Sequence, residues 1–296
     1  MLWCRRMIEK VIIPAAGLGT RLLSATKEQP KEMLPVFARD RGGNTCVKPL
    51  VQLIFEQLFD LGIRKFCFVV GRDKRALEDH FTPDTGFILE LNRKGKSIQS
   101  DELAAFYSRV RDSTILWVNQ PAPLGFGHAL LQARSFISNE SFLVHAGDTY
   151  IISNHSPTVH ERLIEEHTKS LADATLTLQK VEDTRHYGVA EVTSQGQGGL
   201  LVTRVEEKPA RPRTNLAIMP LYLFKPQIFD SLLQTTADRQ GEVQLTDAIQ
   251  GLIDSSNRVR AIELNADDVR LDIGTPETYW DALSISYQVS RQTSRL

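Results

Sequence analysis

Apolar residues fall along this chain in two rhythms. Short β-branched and aromatic runs, bounded by Gly, Pro or Asp, alternate with longer stretches whose apolar positions recur at helical spacing. The first run, Val11-Ile12-Ile13, stops at Pro14 and a glycine-containing turn, and predicts a buried strand. Positions 49–61 predict a helix, with Pro49 in a first-turn position and Gly62 as a stop. Positions 63–70 are β-branched and aromatic and end at Gly71, which predicts a second strand. Strand, helix and strand in this order predict a parallel βαβ unit, because parallel neighbours need a crossover.

The alternation continues with a polar helical stretch at 87–110, a strand at 115–118, a helix at 127–136 and a strand at 142–146 stopped by Gly147-Asp148. A helix at 161–170 and a strand at 174–181 follow. Between 187 and 224 the pattern shifts to strands, at 187–192, 200–206 and 216–224. A helix at 244–254, a strand at 259–264 and a last helix at 276–287 complete the chain. Positions 39–45 form a polar loop, 194–199 a turn, and 290–296 a frayed end. With no long linker and no internal repeat, the expectation is one α/β domain with a mixed sheet and a small appended region.

Charge and cysteine usage narrow the function. Lys plus Arg total 35 against 36 for Asp plus Glu, a net charge of −1, which argues against a general nucleic-acid binder. Apolar residues at 42% and charged residues at 24% of 296 are globular proportions. No apolar run approaches the roughly 18 residues of a membrane span. The opening Met-Leu-Trp-Cys-Arg-Arg-Met lacks the apolar core of a signal peptide. Cys4, Cys46 and Cys67 are scattered, giving neither a disulfide framework nor a metal knuckle, and the cytoplasm is the expected compartment.

The candidate chemistry begins directly after the first strand, at Pro14-Ala15-Ala16-Gly17-Leu18-Gly19-Thr20-Arg21. Gly17 and Gly19 allow close backbone approach to a ligand, and successive N–H groups there can cradle a phosphate. Leu22 replaces the third glycine of a dinucleotide fingerprint, and no Gly-Lys-Ser/Thr follows, so neither a Rossmann motif nor a Walker loop is present. Gly-x-Gly alone is equally compatible with an ordinary tight turn. The next stretch, Lys27-Glu28-Gln29-Pro30-Lys31-Glu32-Met33-Leu34-Pro35, tips the balance. Arg21 and Lys31 put two cations near the glycines, and Pro30 and Pro35 hold the segment extended. A rigid, cationic, glycine-rich loop at a parallel strand end suits a polyphosphate. Lys31, a point charge on a long stem, is the better candidate for the reacting phosphate, and Lys27 reads as a solvated charge. Asp148 and Asp272 each end an apolar strand segment, where such sheets bind ligands, and two carboxylates with phosphate oxygens suit Mg²⁺. Glu207 and Lys208 alternate on a strand and should face opposite ways unless the chain bends, as it could at Pro209. His160 and His167 lack the spacing of a zinc helix, and His145 reads as a packed strand residue.

Gly-Leu-Gly-Thr-Arg followed by Lys-Glu-x-Pro-Lys-Glu-Met-Leu-Pro closely resembles the sugar-1-phosphate nucleotidyltransferases, and within them the bacterial-type uridylyltransferases. Further segments are similar in the same order: Gln120-Pro-Ala-Pro-Leu-Gly125-Phe-Gly127-His128, Val144-His-Ala-Gly147-Asp148, His186-Tyr187-Gly188-Val189, Glu206-Glu207-Lys208-Pro209, Thr214-Asn215-Leu216, Gly241-Glu-Val-Gln-Leu-Thr-Asp247 and Leu271-Asp272-Ile-Gly274. The resemblance implies an α/β, Rossmann-like, three-layer nucleotidyltransferase fold with a mixed, mostly parallel central sheet. It implies a single domain over 8–290, with a nucleotide half at 8–150, a sugar-phosphate half at 151–275 and a C-terminal helix at 276–288. It implies uridylyl transfer from UTP to glucose 1-phosphate, with no nucleic-acid or membrane partner, in a homo-oligomer (dimer or tetramer). Arg21 and Lys31 would be catalytic. Ala16, Gly17, Gly19, Thr20, Gln120 and Gly125 would bind the nucleotide. Gly188, Glu207, Lys208 and Asn215 would bind the sugar phosphate, and Asp148 and Asp272 would hold Mg²⁺.

The same residues also admit other readings. A pocket reading the amide edge of uracil rejects thymine only through a methyl group, worth about 1–3 kcal/mol, so dTTP, another triphosphate or another sugar 1-phosphate remains a rival. A catalytically silent sugar-nucleotide sensor is the rival of a different class, opposed by the intact Arg21, Lys31, Asp148, Lys208 and Asp272. A dehydrogenase is disfavoured by Leu22 and the dense cations.

Overall fold

A computed structural model describes residues 8–195 and 199–292. Residues 196–198 of the turn expected at 194–199, the end of the frayed tail and Cys4 lie outside the described residues. In chain order, β1 (Lys10–Ala15) leads through the glycine loop to a single helical turn, α1 (Leu23–Thr26), and a hairpin, β2 (Pro35–Arg39) and β3 (Thr45–Pro49). Then come α2 (Leu50–Asp60), β4 (Lys65–Val70), α3 (Arg75–His80), α4 (Thr85–Arg93), α5 (Ser97–Arg111), β5 (Thr114–Asn119), α6 (Phe126–Gln132), β6 (Phe142–His145) and β7 (Thr149–Ile152). The second half contains α7 (Val159–Ser170), β8 (Ala174–Lys180), β9 (Gly188–Gln195), β10 (Gly199–Glu207), β11 (Leu216–Phe224), α8 (Gln227–Gln234), α9 (Leu245–Asp254), β12 (Val259–Glu263), β13 (Val269–Asp272) and α10 (Pro276–Arg291).

Nine strands form one sheet in the order β5-β4-β1-β6-β11-β8-β12-β10-β9. β5, β4, β1 and β6 are parallel neighbours. β11 then returns antiparallel between β6 and β8, β12 runs parallel to β8, and β10 and β9 are antiparallel. The sheet is therefore mixed, with its parallel part concentrated in the first half. β1 explains why an unbroken apolar run is needed there: Val11 and Ile13 pack on one face while Ile12 packs on the other. A strand covered by helices on both faces has no polar side. One face carries the aromatic cluster of Phe55 with Phe66, Phe81 and Phe106, and the other carries Leu130, Ile228 and Ile249 from α6, α8 and α9. Together these make the three layers expected.

Two short pairings lay outside the sequence reading. β2 and β3 pair from Pro35↔Pro49 to Arg39↔Thr45, so the expected polar loop is the tip of a hairpin. α10 clamps it: Phe37 N–H donates to Ser286 Oγ at 3.1 Å, and Arg39 Nε donates to the Ser290 carbonyl at 3.0 Å. β7 and β13 pair antiparallel as a separate ribbon. The long helical stretch expected at 87–110 is two helices, because the chain turns at Gly95 with φ of 69°. Among the described residues no helix is long and apolar enough to cross a membrane.

Candidate active site

The carboxyl ends of β1, β4, β5 and β6 gather the first part of the site on one sheet edge, the ligand edge of such folds. After β1, Ala16 is buried and Gly17 exposed, and Gly19 adopts φ of 63°, a left-handed conformation that suits glycine. The Thr26 hydroxyl reaches the Gly19 and Leu22 carbonyls at 2.9 Å and fixes the turn. Thr20 and Arg21 stand exposed on it. A Cβ added at Gly17 would lie 3.8 Å from Lys31 Cε and Nζ, so the loop lies directly against that lysine.

Lys31 sits in a 3-10 turn, Lys31–Met33, that follows Pro30 in extended geometry. Its ammonium donates to Asp148 Oδ2, and only 18% of the Lys31 side chain is exposed. Burial would lower the Lys31 pKa, but Asp148 and Glu32 outweigh it and raise it. Burial pushes the Asp148 carboxyl up, and the Lys31 ammonium overrides this and holds it below its ordinary value. Gly147 anchors Asp148 to the glycine loop: its N–H donates to the Pro14 carbonyl at 3.1 Å, and a Cβ there would meet Glu32 Cγ at 3.1 Å.

Beneath Lys31 lies a buried ion pair that the sequence reading did not single out. Glu32 is 1% exposed and accepts from Lys74 Nζ at 3.1 Å. Burial raises the Glu32 carboxyl, and Lys74 and then Lys31 oppose the rise. Removing one partner of a buried pair leaves an uncompensated charge. Lys74→Met should therefore cost about 3 kcal/mol of stability. Urea unfolding at neutral pH checks this, and a loss under about 1 kcal/mol would place the pair with surface ion pairs.

Asp272 reaches this edge by a route different from the one expected. Asp148 does follow a parallel strand, β6. Asp272 instead ends β13, which runs antiparallel to β7 and places Asp272 opposite Thr149. Ile273 N–H donates to the Asp148 carbonyl at 3.0 Å and ties the two acidic segments together. Burial and the Asp148 charge raise the Asp272 carboxyl, against the pull of Arg270, Lys31 and Arg21. Arg270 touches Asp272 Oδ2 at 3.3 Å and the Tyr187 hydroxyl at 2.9 Å, contacts that no sequence pattern announced. Among the described residues no group of three His, Cys, Asp or Glu could hold a metal. His145 is packed in its strand as expected, and His160 on α7 is buried beside it; desolvation lowers them to about 4 and about 3.

Gln120 continues β5, its N–H donating to the Val70 carbonyl at 2.8 Å, and only 5% of it is exposed. Its Nε2 donates to the Gly125 carbonyl at 3.1 Å and to His128 Nδ1 at 2.9 Å. A carbonyl only accepts, so this neighbour fixes which end of the amide is nitrogen. Gly125 adopts φ of 95° and packs on Val243, where a Cβ would stand 2.9 Å from the carbonyl oxygen.

The sugar-phosphate candidates form a second group on the β9–β10 arm. Gly188 pairs with Glu207, and a Cβ on Gly188 would lie 2.7 Å from Thr246 Oγ1 and 3.0 Å from Glu207 Oε2. The Thr246 hydroxyl donates to Glu207 Oε2 at 2.6 Å. The expected bend falls at Lys208 itself, with φ of 41°, rather than at Pro209. This brings Lys208 Nζ back to 3.0 Å from Glu207 Oε1, so the two side chains meet. Asn215, exposed before β11, gives its carbonyl to Val181 N–H at 3.0 Å.

A glycine loop, a lysine and two carboxylates thus gather near the switch from parallel to antiparallel strands, where α/β folds bind their ligands. Residues 10–288 match the nucleotidyl transferase family, and the chain belongs to it. It is 38% identical over 273 residues to the UTP–glucose-1-phosphate uridylyltransferase of Bacillus subtilis, covering 91% of this chain and 87% of that protein. A protein of the same name from Streptococcus pyogenes is 39% identical over 274 residues, covering 90% and 84%. A solved UDP-glucose pyrophosphorylase complexed with UDP-glucose superposes with a TM-score of 0.82 at 30% identity, over 96% of this chain and 100% of that one. The UTP-bound enzyme from Acinetobacter baumannii superposes with a TM-score of 0.82 at 27% identity, over 97% and 95%.

Proposed function

We propose that this protein transfers a uridylyl group from UTP to glucose 1-phosphate, giving UDP-glucose and pyrophosphate. The observation that carries the proposal is the contact of Lys31 with Asp148 beneath Gly17, with Asp272 held alongside. The acceptor phosphate is already ionised near neutral pH, so no general base is required. A phosphate oxygen of the sugar attacks the α-phosphorus of UTP, the bond to the bridging oxygen breaks, and pyrophosphate leaves. The task is to align two polyanions and offset the charge that moves onto the leaving group. The backbone from Ala16 to Gly19, with Thr20 and Arg21, would hold the outer phosphates. Lys31 would follow the charge from the α-phosphate to the leaving group. Gly188, Glu207, Lys208 and Asn215 would orient the sugar phosphate.

Asp148 and Asp272 would hold Mg²⁺, which supplies positive charge shared with phosphate oxygens. The donor set fits such an ion: two oxygen-bearing carboxylates close enough for the charge of Asp148 to act on Asp272, leaving most of the coordination to substrate and water. We further assign a homo-oligomer and a cytoplasmic setting on the strength of the family resemblance.

Gln120 and Gly125 would read the base. With both amide protons of Gln120 engaged, its oxygen is left to accept the uracil N–H. Gln120→Glu would set a carboxylate against the Gly125 carbonyl and disturb this turn. UTP binding should weaken by roughly tenfold, with a smaller change for the sugar phosphate. Calorimetry with each substrate checks the split, and equal losses would move base reading elsewhere. The activity is tested by pyrophosphate release across a panel of triphosphates and sugar 1-phosphates, with and without Mg²⁺. Preference for UTP with glucose 1-phosphate supports the proposal, and preference for dTTP overturns the assignment of the base.

A further inference from the structure

The β7–β13 ribbon and the β9–β10 arm belong to different sheets, and Arg270 reaches from one to the other. Its Nη1 donates to Asp272 Oδ2 at 3.3 Å and its Nη2 to the Tyr187 hydroxyl at 2.9 Å. The guanidinium also stands 5.3 Å from the centre of the Tyr187 ring. The Arg270 side chain is 14% exposed, so these contacts are shielded from competing water. Tyr187 in turn holds the sugar-phosphate arm through its backbone. Its carbonyl accepts from Lys208 N–H at 3.1 Å, at the left-handed residue that turns the Lys208 side chain back toward Glu207. Its successor Gly188 pairs with Glu207. A continuous chain of contacts thus runs from the Asp272 carboxylate through Arg270 and Tyr187 to Lys208.

We infer that Arg270 is a positioning residue that sets the sugar-phosphate arm against the acidic ribbon by fixing Tyr187. The inference rests on the uridylyl-transfer proposal for the identity of the ligands. Arg suits this role because its planar fork serves two acceptors in a fixed relation, which a lysine ammonium on a flexible stem does not. Sugar-phosphate affinity should therefore depend on a hydroxyl and a guanidinium that act through Lys208, whereas the triphosphate loop is untouched.

The test uses Tyr187→Phe, Arg270→Lys and the double variant. Tyr187→Phe keeps the ring under the guanidinium and removes only the hydroxyl. Each single change should raise the KM for glucose 1-phosphate by about tenfold, the loss expected for one charge-assisted hydrogen bond. For Tyr187→Phe, which leaves Asp272 untouched, the KM for UTP should change by less than about twofold. Arg270 also touches Asp272, so for Arg270→Lys the effect on UTP is read from binding without metal. Calorimetry without metal should show the same split, with UDP-glucose binding weakened about tenfold and UTP binding unchanged. The double variant should be no worse than the single ones, because both break the same link. Additive losses, an unchanged KM for the sugar phosphate, or equal losses for both substrates with a lowered melting temperature would overturn the inference. Wild-type turnover of UTP with glucose 1-phosphate tests the activity separately. If wild type uses another triphosphate or sugar phosphate, the same variants compared on that pair still decide the role of Arg270.

Discussion

Replacing Lys31 with Ala is expected to lower turnover by roughly 10²–10³-fold and leave the fold intact. The ammonium is placed between the glycine loop and Asp148, where charge must be offset as pyrophosphate departs. It is needed more in the transition state than in the ground state, so the loss should fall on kcat rather than on substrate affinity. Asp148 loses its cation in this variant, but a quarter of its side chain is exposed and water can solvate it. Lys31→Arg should restore little, because a planar fork does not reproduce a compact charge beside Gly17. Rates of pyrophosphate release, with circular dichroism as the check on folding, decide the matter. Near-normal turnover in folded Lys31→Ala would remove Lys31 from the chemistry.

The second large effect concerns the two carboxylates. Asp148→Asn and Asp272→Asn should each raise the Mg²⁺ concentration for half-maximal rate by at least about tenfold, since even outer partners of metal ligands cost that much. Asp148→Asn should be the more damaging, because it also removes the anion that holds Lys31. The double variant should cost less than the sum of the single free energies, because one change already breaks a shared site. The tie between Ile273 N–H and the Asp148 carbonyl keeps the segments adjacent, which makes sharing geometrically reasonable. Additive losses would mean separate roles for the two residues. Excess Mg²⁺ should rescue the single variants in part.

What was legible in the sequence depended on how local the signal was. β1 is apolar at each of Val11, Ile12 and Ile13 because helices cover both of its faces, and that run is visible without any partner. Gly17, Gly19 and Asp148 follow the ends of such runs, so their place on the ligand edge could be foreseen, and Lys31 was marked by the proline-bounded cationic segment around it. The route by which Asp272 arrives could not. β13 is only Val269–Asp272, and its partner β7 lies more than a hundred residues earlier, so nothing local encodes the antiparallel ribbon. The hairpin of β2 and β3 is similarly hidden, since its strands are short, half-exposed and bounded by Pro35 and Pro49. Lys31 and Glu32 are adjacent charges of equal prominence, yet one faces the glycine loop and the other is buried against Lys74. Lys208 shows the limit most plainly. Strand alternation separates it from Glu207, and a single positive φ brings them back together.

On the proposed function, the edge built by Gly17, Lys31, Asp148 and Asp272 transfers a nucleotidyl group to a sugar phosphate. Phosphorus NMR of the purified protein with UTP, glucose 1-phosphate and Mg²⁺ tests it most directly, because it identifies both products. The expected result is equal accumulation of the UDP-glucose diphosphate signals and of pyrophosphate, abolished in Lys31→Ala. Appearance of UDP with inorganic phosphate, or equal product formation by folded Lys31→Ala, would contradict it.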